Sequence, residues 1–243
     1  YALKIAEKLK ETGLVVVKGR GLDTEAIIQD FIGKDRDVWH SHFGRIEDIR
    51  ADNTTNANND QLTYTTTGVN LHTDQPFVAD PPGLQLLQCI NPADVGGANF
   101  LVDARAMTDY IRDTDSEVYD VLTQTKVRFL RVQKNFTSHH DAPILDVDPE
   151  TGVLRQIRFS YFSMAPFNMP FERMERWYKA YNKFTRLIRD PKHQYRVNLE
   201  AGDYVLYANY LALHARDDFS GPRWMRGVYF RTEDVEAHLN FKF

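Results

Sequence analysis

The sequence holds a single cysteine, Cys89, among 243 residues. One thiol cannot close an internal disulfide, so the fold is held without covalent cross-links and a reducing compartment, the cytoplasm, is expected. No apolar run approaches the roughly 20 residues that span a bilayer. No basic-then-apolar leader opens the chain, so no membrane partner is expected. Excess positive charge is also lacking: 30 Lys and Arg stand against 34 Asp and Glu, a net charge of −4. That balance argues against a nucleic-acid partner. Neither an internal repeat nor a low-complexity linker interrupts the chain. It opens on Tyr1 rather than Met, so a natural N-terminus is expected to be missing.

What is present is 42% hydrophobic and 26% charged, the composition of one globular domain over residues 1–243 with a sizeable core. A homodimer is left open. "ALKIAEKLKETG" reads as a helix stopped by Gly13, and "LVVVKG" as a buried β-branched strand. "TEAIIQDFIG" reads as a second helix, with Thr24 as N-cap and Gly33 as its stop. From Trp39 to Tyr64 the pattern is irregular, and the polar run "DNTTNANND" reads as loop. Strands are expected at "GLQLLQCI", after the Gly-Gly turn of "VGGANFLVD", at "KVRFLRVQ" and, as a turn-linked pair, in "ILDVDPETGVLRQIRFS". "ARAMTDYIRDTDSEVYDVLTQT" reads as two helical pieces divided near Asp113 to Asp115. In "ERMERWYKAYNKFTRLIRD", Met174, Trp177, Tyr181, Phe184 and Ile188 recur at steps of three and four, a core-facing helical stripe with no chemistry of its own. The last third is strand-rich. The expected fold class is mainly β with flanking α: a sandwich or barrel core buttressed by helices concentrated early.

The stretch "LHTDQPF" carries the first chemical signal. His72 and Asp74 lie two apart, and in a strand residues i and i+2 share a face. Alone, that spacing is more often a local contact at a strand end. Among eight histidines, His214 in "YVLYANYLALHARDD" is the other in a comparable strand context. Two imidazoles and one carboxylate form the facial ligand set of non-haem iron(II) oxygenases, which leaves three adjacent positions open. A bidentate 2-oxo acid fills two and dioxygen needs the last. With 2-oxoglutarate the distal carboxylate also needs a fixed cation, which the planar fork of Arg suits. Arg223 follows His214 by nine residues (223 − 214), and Arg226 is also within reach by distance alone. Singly, each charge reads as solvated surface; their order along the chain points to a site.

The block "LTYTTTGVNLHTDQPFVADPPGLQLLQCINPADVGGANFLVD" resembles the core of the taurine dioxygenase superfamily, nearest its γ-butyrobetaine and trimethyllysine hydroxylase branch. Tyr64-Thr65 before the H-T-D, Pro82-Gly83 and Gly96-Gly97 carry the resemblance, with the later "RQIRFSYFSMAPF", "EAGDYVLYANYLALHAR" and "RWMRGVYF". It runs from about Leu14 to Asp234. The resemblance implies a double-stranded β-helix (jelly-roll) core and Fe(II) held by His72, Asp74 and His214. It implies Arg223 on the distal carboxylate of 2-oxoglutarate, with O2 as the further co-substrate. Asn99 falls where the family often has Thr or Ser for the same anion, and its amide can donate a hydrogen bond. Asp74 speaks against the halogenases of the superfamily, which replace that carboxylate with a small residue.

The same branch holds a trimethylammonium group in an aromatic cage. Tyr64, Tyr229 and Phe43 match cage positions, and Glu47 stands where animal enzymes place Trp. A cation over aromatic faces gains about 0.5 to 2 kcal/mol per good contact. Glu47 adds a full charge and shifts preference toward an ammonium bearing N–H donors. At the other end, Gln61 falls where the family uses an Asn, and Ser160-Tyr161 replaces an Asn-Asn pair. The expected activity is therefore oxidation of an unactivated C–H in a small-molecule substrate: a cationic amine, amino acid or betaine-like metabolite. Two other classes stay open: a metal-dependent hydrolase using the same three ligands to activate water, and a jelly roll that binds small molecules without turnover.

Overall fold

The computed structural model describes residues 1–51 and 62–243; "DNTTNANND" and Gln61 lie outside the described residues. In chain order the strands are β1 (Leu14–Val17), β2 (Glu47–Arg50), β3 (Val69–His72), β4 (Leu84–Asn91), β5 (Val95–Gly96), β6 (Asn99–Asp103), β7 (Val127–Gln133) and β8 (Phe136–Ala142). They continue as β9 (Leu145–Val147), β10 (Leu154–Ile157), β11 (Tyr195–Val197), β12 (Tyr204–Ala208), β13 (Ala212–Arg216), β14 (Phe219–Ser220) and β15 (Trp224–Phe230). The α-helices are α1 (Ala2–Thr12), α2 (Thr24–Ile32), α3 (Ala104–Thr114), α4 (Ser116–Gln124), α5 (Phe171–Arg189) and α6 (Thr232–Leu239).

Two antiparallel sheets carry the architecture. The larger has strand order β1-β12-β4-β15-β2, the smaller β11-β6-β13-β3. Period-2 alternation gives each strand two destinations. Leu84 and Leu86 of β4, Tyr204 and Leu206 of β12, and Val228 and Phe230 of β15 point outward and pack with Ile5 and Leu9 of α1, Ile28 and Phe31 of α2 and Val235 of α6. The alternate residues, Leu87 and Cys89, Val205 and Tyr207, and Met225, share a second cluster with Leu101 and Ala212 of the smaller sheet. The outer face of the smaller sheet, through Leu71, Val102, Leu213 and Ala215, packs with α3, α4 and α5 in a third cluster. Two sheets thus meet across one inner core, with helices against both outer faces. Within that inner core the strands also carry polar side chains, and these build the site.

Most of the elements expected from periodicity are present, with four differences. The N-cap of α2 is Asp23, whose carboxylate accepts from the Ala26 N–H; the Thr24 hydroxyl instead donates to buried Gln88. The stretch from Trp39 to Tyr64 contains strand β2, because Glu47 and Ile49 turn inward while Asp48 and Arg50 turn out. Strand β8 pairs with β7 as a hairpin. A further helix, α6, which periodicity did not announce, follows β15. Among the described residues no helix is long and apolar enough to cross a membrane.

Candidate active site

His72 ends β3 and His214 sits inside β13, and the two are direct cross-strand partners in the smaller sheet. Their rings lie 4.1 Å apart, centroid to centroid. Asp74, just past the end of β3, brings its Oδ1 to 3.4 Å from His72 Nε2 and 3.6 Å from His214 Nε2. One ligand atom from each of the three falls within 4.8 Å of the others.

The hydrogen bonds around this trio ready it for a cation. His72 Nδ1 lies 2.8 Å from the Asn70 carbonyl, an acceptor only, so Nδ1 carries the proton and Nε2 presents a lone pair. Burial and the neighbouring His72 push His214 down to about 3, so it is neutral at pH 7. Burial alone would raise the Asp74 carboxyl, but the two histidines and the Tyr229 hydroxyl outweigh it and hold it at about 2. Asp74 Oδ2 accepts from Tyr229 at 2.9 Å, while Oδ1 faces two imidazoles at distances too long for good hydrogen bonds. Two nitrogen lone pairs and one anionic oxygen on one spot fit a divalent transition metal. His72, Asp74 and His214 would hold it.

The backbone of Asp74 is fixed as firmly. Asn209 accepts from the Asp74 N–H at 2.9 Å, and its amide donates to the Asp74 and Pro82 carbonyls, both at 3.0 Å. Buried Arg158 donates to the carbonyls of Pro76, Val78 and Ala79 and so holds the loop that follows.

A pocket of about 810 Å³, counting its open mouth, surrounds the trio. One end is cationic. Arg223 is 7% exposed and has no carboxylate partner among the described residues; its guanidinium lies over the Phe219 ring at 5.4 Å. Burial and nearby Arg216 lower it to about 10, still a cation at pH 7. Asn99 lines this end too. Gly97, at φ 73°, is required here, because a Cβ would stand 3.4 Å from Arg223 Nε and 3.3 Å from Phe219. Arg226 is committed elsewhere, to Asp48 and Thr24. Arg216 had no place in the sequence reading. Its guanidinium donates to the carbonyls of Thr63, Thr65 and Thr67, anchoring the segment before β3 and adding positive charge to the same end.

The substrate-pocket residues separate into three groups. Phe43, Glu47 and Tyr229 line the cavity. Tyr64 does not: it is buried at 3% exposure behind them, its ring edge-on to Phe43 at 5.9 Å and its hydroxyl donating to Glu47 at 2.9 Å. Tyr161 does not line it either; its side chain stays 37% exposed, and the next residue, Phe162, faces the pocket 5.3 Å from His72. Gln61 lies outside the described residues. Several further lining residues escaped the sequence reading, among them Arg216, Phe162, His42, Gln85 and Tyr207. His42 stacks on Phe136 at 4.0 Å, and Gln85 and Tyr207 come from β4 and β12. His42 preceded Phe43 in an irregular stretch, and no local pattern marks Gln85 or Tyr207. Glu47 is buried, which raises its carboxyl to about 8 despite the Tyr64 hydrogen bond, with Asp74 adding to the rise.

The sequence profile of the taurine catabolism dioxygenase TauD, TfdA family matches residues 2–229. The chain belongs to this family. It is 33% identical over 205 residues to a gamma-butyrobetaine dioxygenase of Pseudomonas sp. (strain AK-1), covering 83% of this chain and 52% of that protein. It is 28% identical over 177 residues to the mitochondrial trimethyllysine dioxygenase of Rattus norvegicus, covering 71% and 42%. The chain thus spans about half the length of the curated relatives it matches. An asparagine oxygenase solved with Fe(II), 2S,3S-3-hydroxyasparagine and succinate shares the fold at TM-score 0.72 and 14% identity, over 95% of this chain and 79% of that one. A taurine dioxygenase from Burkholderia xenovorans does so at TM-score 0.68 and 14% identity, over 93% and 80%.

Proposed function

We propose that this TauD-family chain is the catalytic domain, built on a double-stranded β-helix, of an Fe(II)- and 2-oxoglutarate-dependent oxygenase that hydroxylates or otherwise oxidises an unactivated C–H of a small cationic amine, amino acid or betaine-like metabolite. The observation that carries this reading is the pairing of two sites in one pocket: a His, Asp, His cluster of metal-ligand atoms and, beside it, a buried arginine without a carboxylate partner among the described residues. Iron(II), when bound with 2-oxoglutarate and O2, supplies the oxidising chemistry. Arg223, with Asn99 nearby, receives the distal carboxylate of the co-substrate. A hydrolase built on the same three ligands has no use for that arginine.

On the other side, Phe43, Phe77, Phe162 and the Tyr229 ring wall the space in front of the ligands, and Glu47 places a carboxyl among them. A cation is favoured there by ring quadrupoles. Glu47, expected from the sequence to carry a full charge, is mostly protonated at pH 7 because burial raises its carboxyl to about 8. It adds charge only where a bound cation draws that proton off. A substrate panel at matched size tests the assignment: primary amine, trimethylammonium and neutral isostere. Co-substrate decarboxylation is stimulated by the cations and not by the isostere. Glu47→Gln weakens the amine more than the quaternary compound, since only the amine donates a hydrogen bond to the carboxylate. Stimulation by the isostere alone removes the cation assignment.

A further inference from the structure

Three buried side chains from three strands of the larger sheet stand in a row. Tyr207 of β12 is the cross-strand partner of Gln85 of β4, which is also the partner of Tyr229 of β15. All three point to the inner face and are between 1% and 5% exposed. Their hydrogen bonds have one consistent direction. The Tyr229 hydroxyl donates to Asp74 Oδ2 at 2.9 Å. The Tyr229 oxygen then accepts from the Gln85 amide across a long 3.4 Å, the weakest link of the row, and the Gln85 carbonyl accepts from the Tyr207 hydroxyl. The Tyr207 ring also packs against His214 at 4.7 Å. The row therefore touches two of the three ligand side chains, one by ring contact and one through a relay of donors.

From this geometry we infer that the Tyr207–Gln85–Tyr229 relay positions Asp74 as a one-oxygen ligand, occupying Oδ2 so that only Oδ1 is offered to the metal. The inference rests on the oxygenase reading above. A carboxylate with both oxygens free can chelate a divalent cation, which would consume one of the positions that 2-oxoglutarate and O2 need. The relay prevents this from the inner face of the larger sheet, through the carboxylate oxygen that Tyr229 occupies. It also makes Tyr229 a positioning residue in addition to a pocket wall, and gives Gln85 and Tyr207, which line the same pocket, a positioning role as well.

Tyr229→Phe removes the O–H and keeps the ring. Two constants are measured anaerobically: the Kd of Co(II) for the metal-free protein, and the Kd of 2-oxoglutarate for the Fe(II) protein, read from its visible charge-transfer band. We expect the 2-oxoglutarate Kd to rise about tenfold or more while Co(II) binds no more weakly than to wild type, since the freed Oδ2 joins Oδ1 on the ion. Tyr207→Phe keeps the ring on His214 and loses only the donor that orients Gln85; it shifts the 2-oxoglutarate Kd the same way by about two- to threefold. Should Tyr229→Phe lose its cooperative thermal transition, Gln85→Met interrupts the relay one link back and is read by the same two constants. Both constants unchanged, or both weakened in parallel as a merely structural wall would give, overturns the inference. A wild-type protein with no band at all overturns the oxygenase reading, and this inference with it.

Discussion

At the scale of single residues, charge without a partner is the most informative feature of the site. A buried guanidinium is costly unless an anion meets it. Arg128, Arg155 and Arg196 face carboxylates at the surface, whereas Arg223 has an aromatic ring and the pocket. A bound carboxylate completes it. Arg223→Ala is expected to weaken 2-oxoglutarate by roughly 3 to 5 kcal/mol, the cost of leaving a buried charge unpaired, while the affinity for Co(II) alone stays at the wild-type value. Equilibrium dialysis with each ligand separates the two; a near-normal 2-oxoglutarate affinity would move the role to another residue. Arg226 is a poor substitute because its guanidinium is engaged by Asp48 and Thr24.

At the scale of elements, the ligands are delivered by the paired strands β3 and β13 and by the stretch after β3, which other side chains clamp. Asn209 makes three hydrogen bonds that join the turn between β12 and β13 to the stretch after β3. Replacing it by Ala orphans buried backbone groups, at about 1–3 kcal/mol each where water cannot reach them, and lets Asp74 drift. Asn209→Ala is therefore expected to lower both urea midpoint and metal affinity. Asp23→Ala, which removes the cap of α2, costs about 1 kcal/mol and leaves metal affinity unchanged. Equal effects on metal binding would deny Asn209 its clamping role. This division also explains what was legible in the sequence. His72 and Asp74 lie two apart in H-T-D, although only His72 is on β3, and His214 and Arg223 follow in a recognisable order, so the metal and anion groups could be read directly. Helices α1 to α5 and most strands announce themselves by period and stop signals. Strand β2 did not, because its inward residues are Glu47 and Ile49, and a buried carboxyl breaks the apolar alternation. Strand β8, "FTSHHDA", is polar for the same reason that hairpins facing solvent are. The Tyr207–Gln85–Tyr229 row was invisible because its members lie 122 and 144 positions apart and meet only through sheet register.

At the scale of the whole molecule, the polar interior makes stability depend on pH with two signs. The Glu47 carboxyl is raised to about 8, so the folded protein keeps a proton that the unfolded chain releases near 4.5. Its contribution is complete below about pH 4.5 and is lost as pH rises toward 8, at no more than about 1.4 kcal/mol per pH unit. Asp74 is lowered to about 2, so its contribution is present above its ordinary value of 3.8 and fades as pH falls toward 2. Urea unfolding of the metal-free protein from pH 3 to 9 is expected to show both arms, and Glu47→Gln is expected to flatten the arm between pH 5 and 8 alone. An unchanged slope in that variant would place the Glu47 carboxyl in water. The most direct test of the account as a whole is an anaerobic visible spectrum. Fe(II) and 2-oxoglutarate added together to the protein are predicted to give a weak charge-transfer band that neither gives alone, and that disappears in His214→Ala. No band with wild-type protein, under conditions where Fe(II) binds, would contradict the assignment of this pocket to iron and a chelating 2-oxo acid.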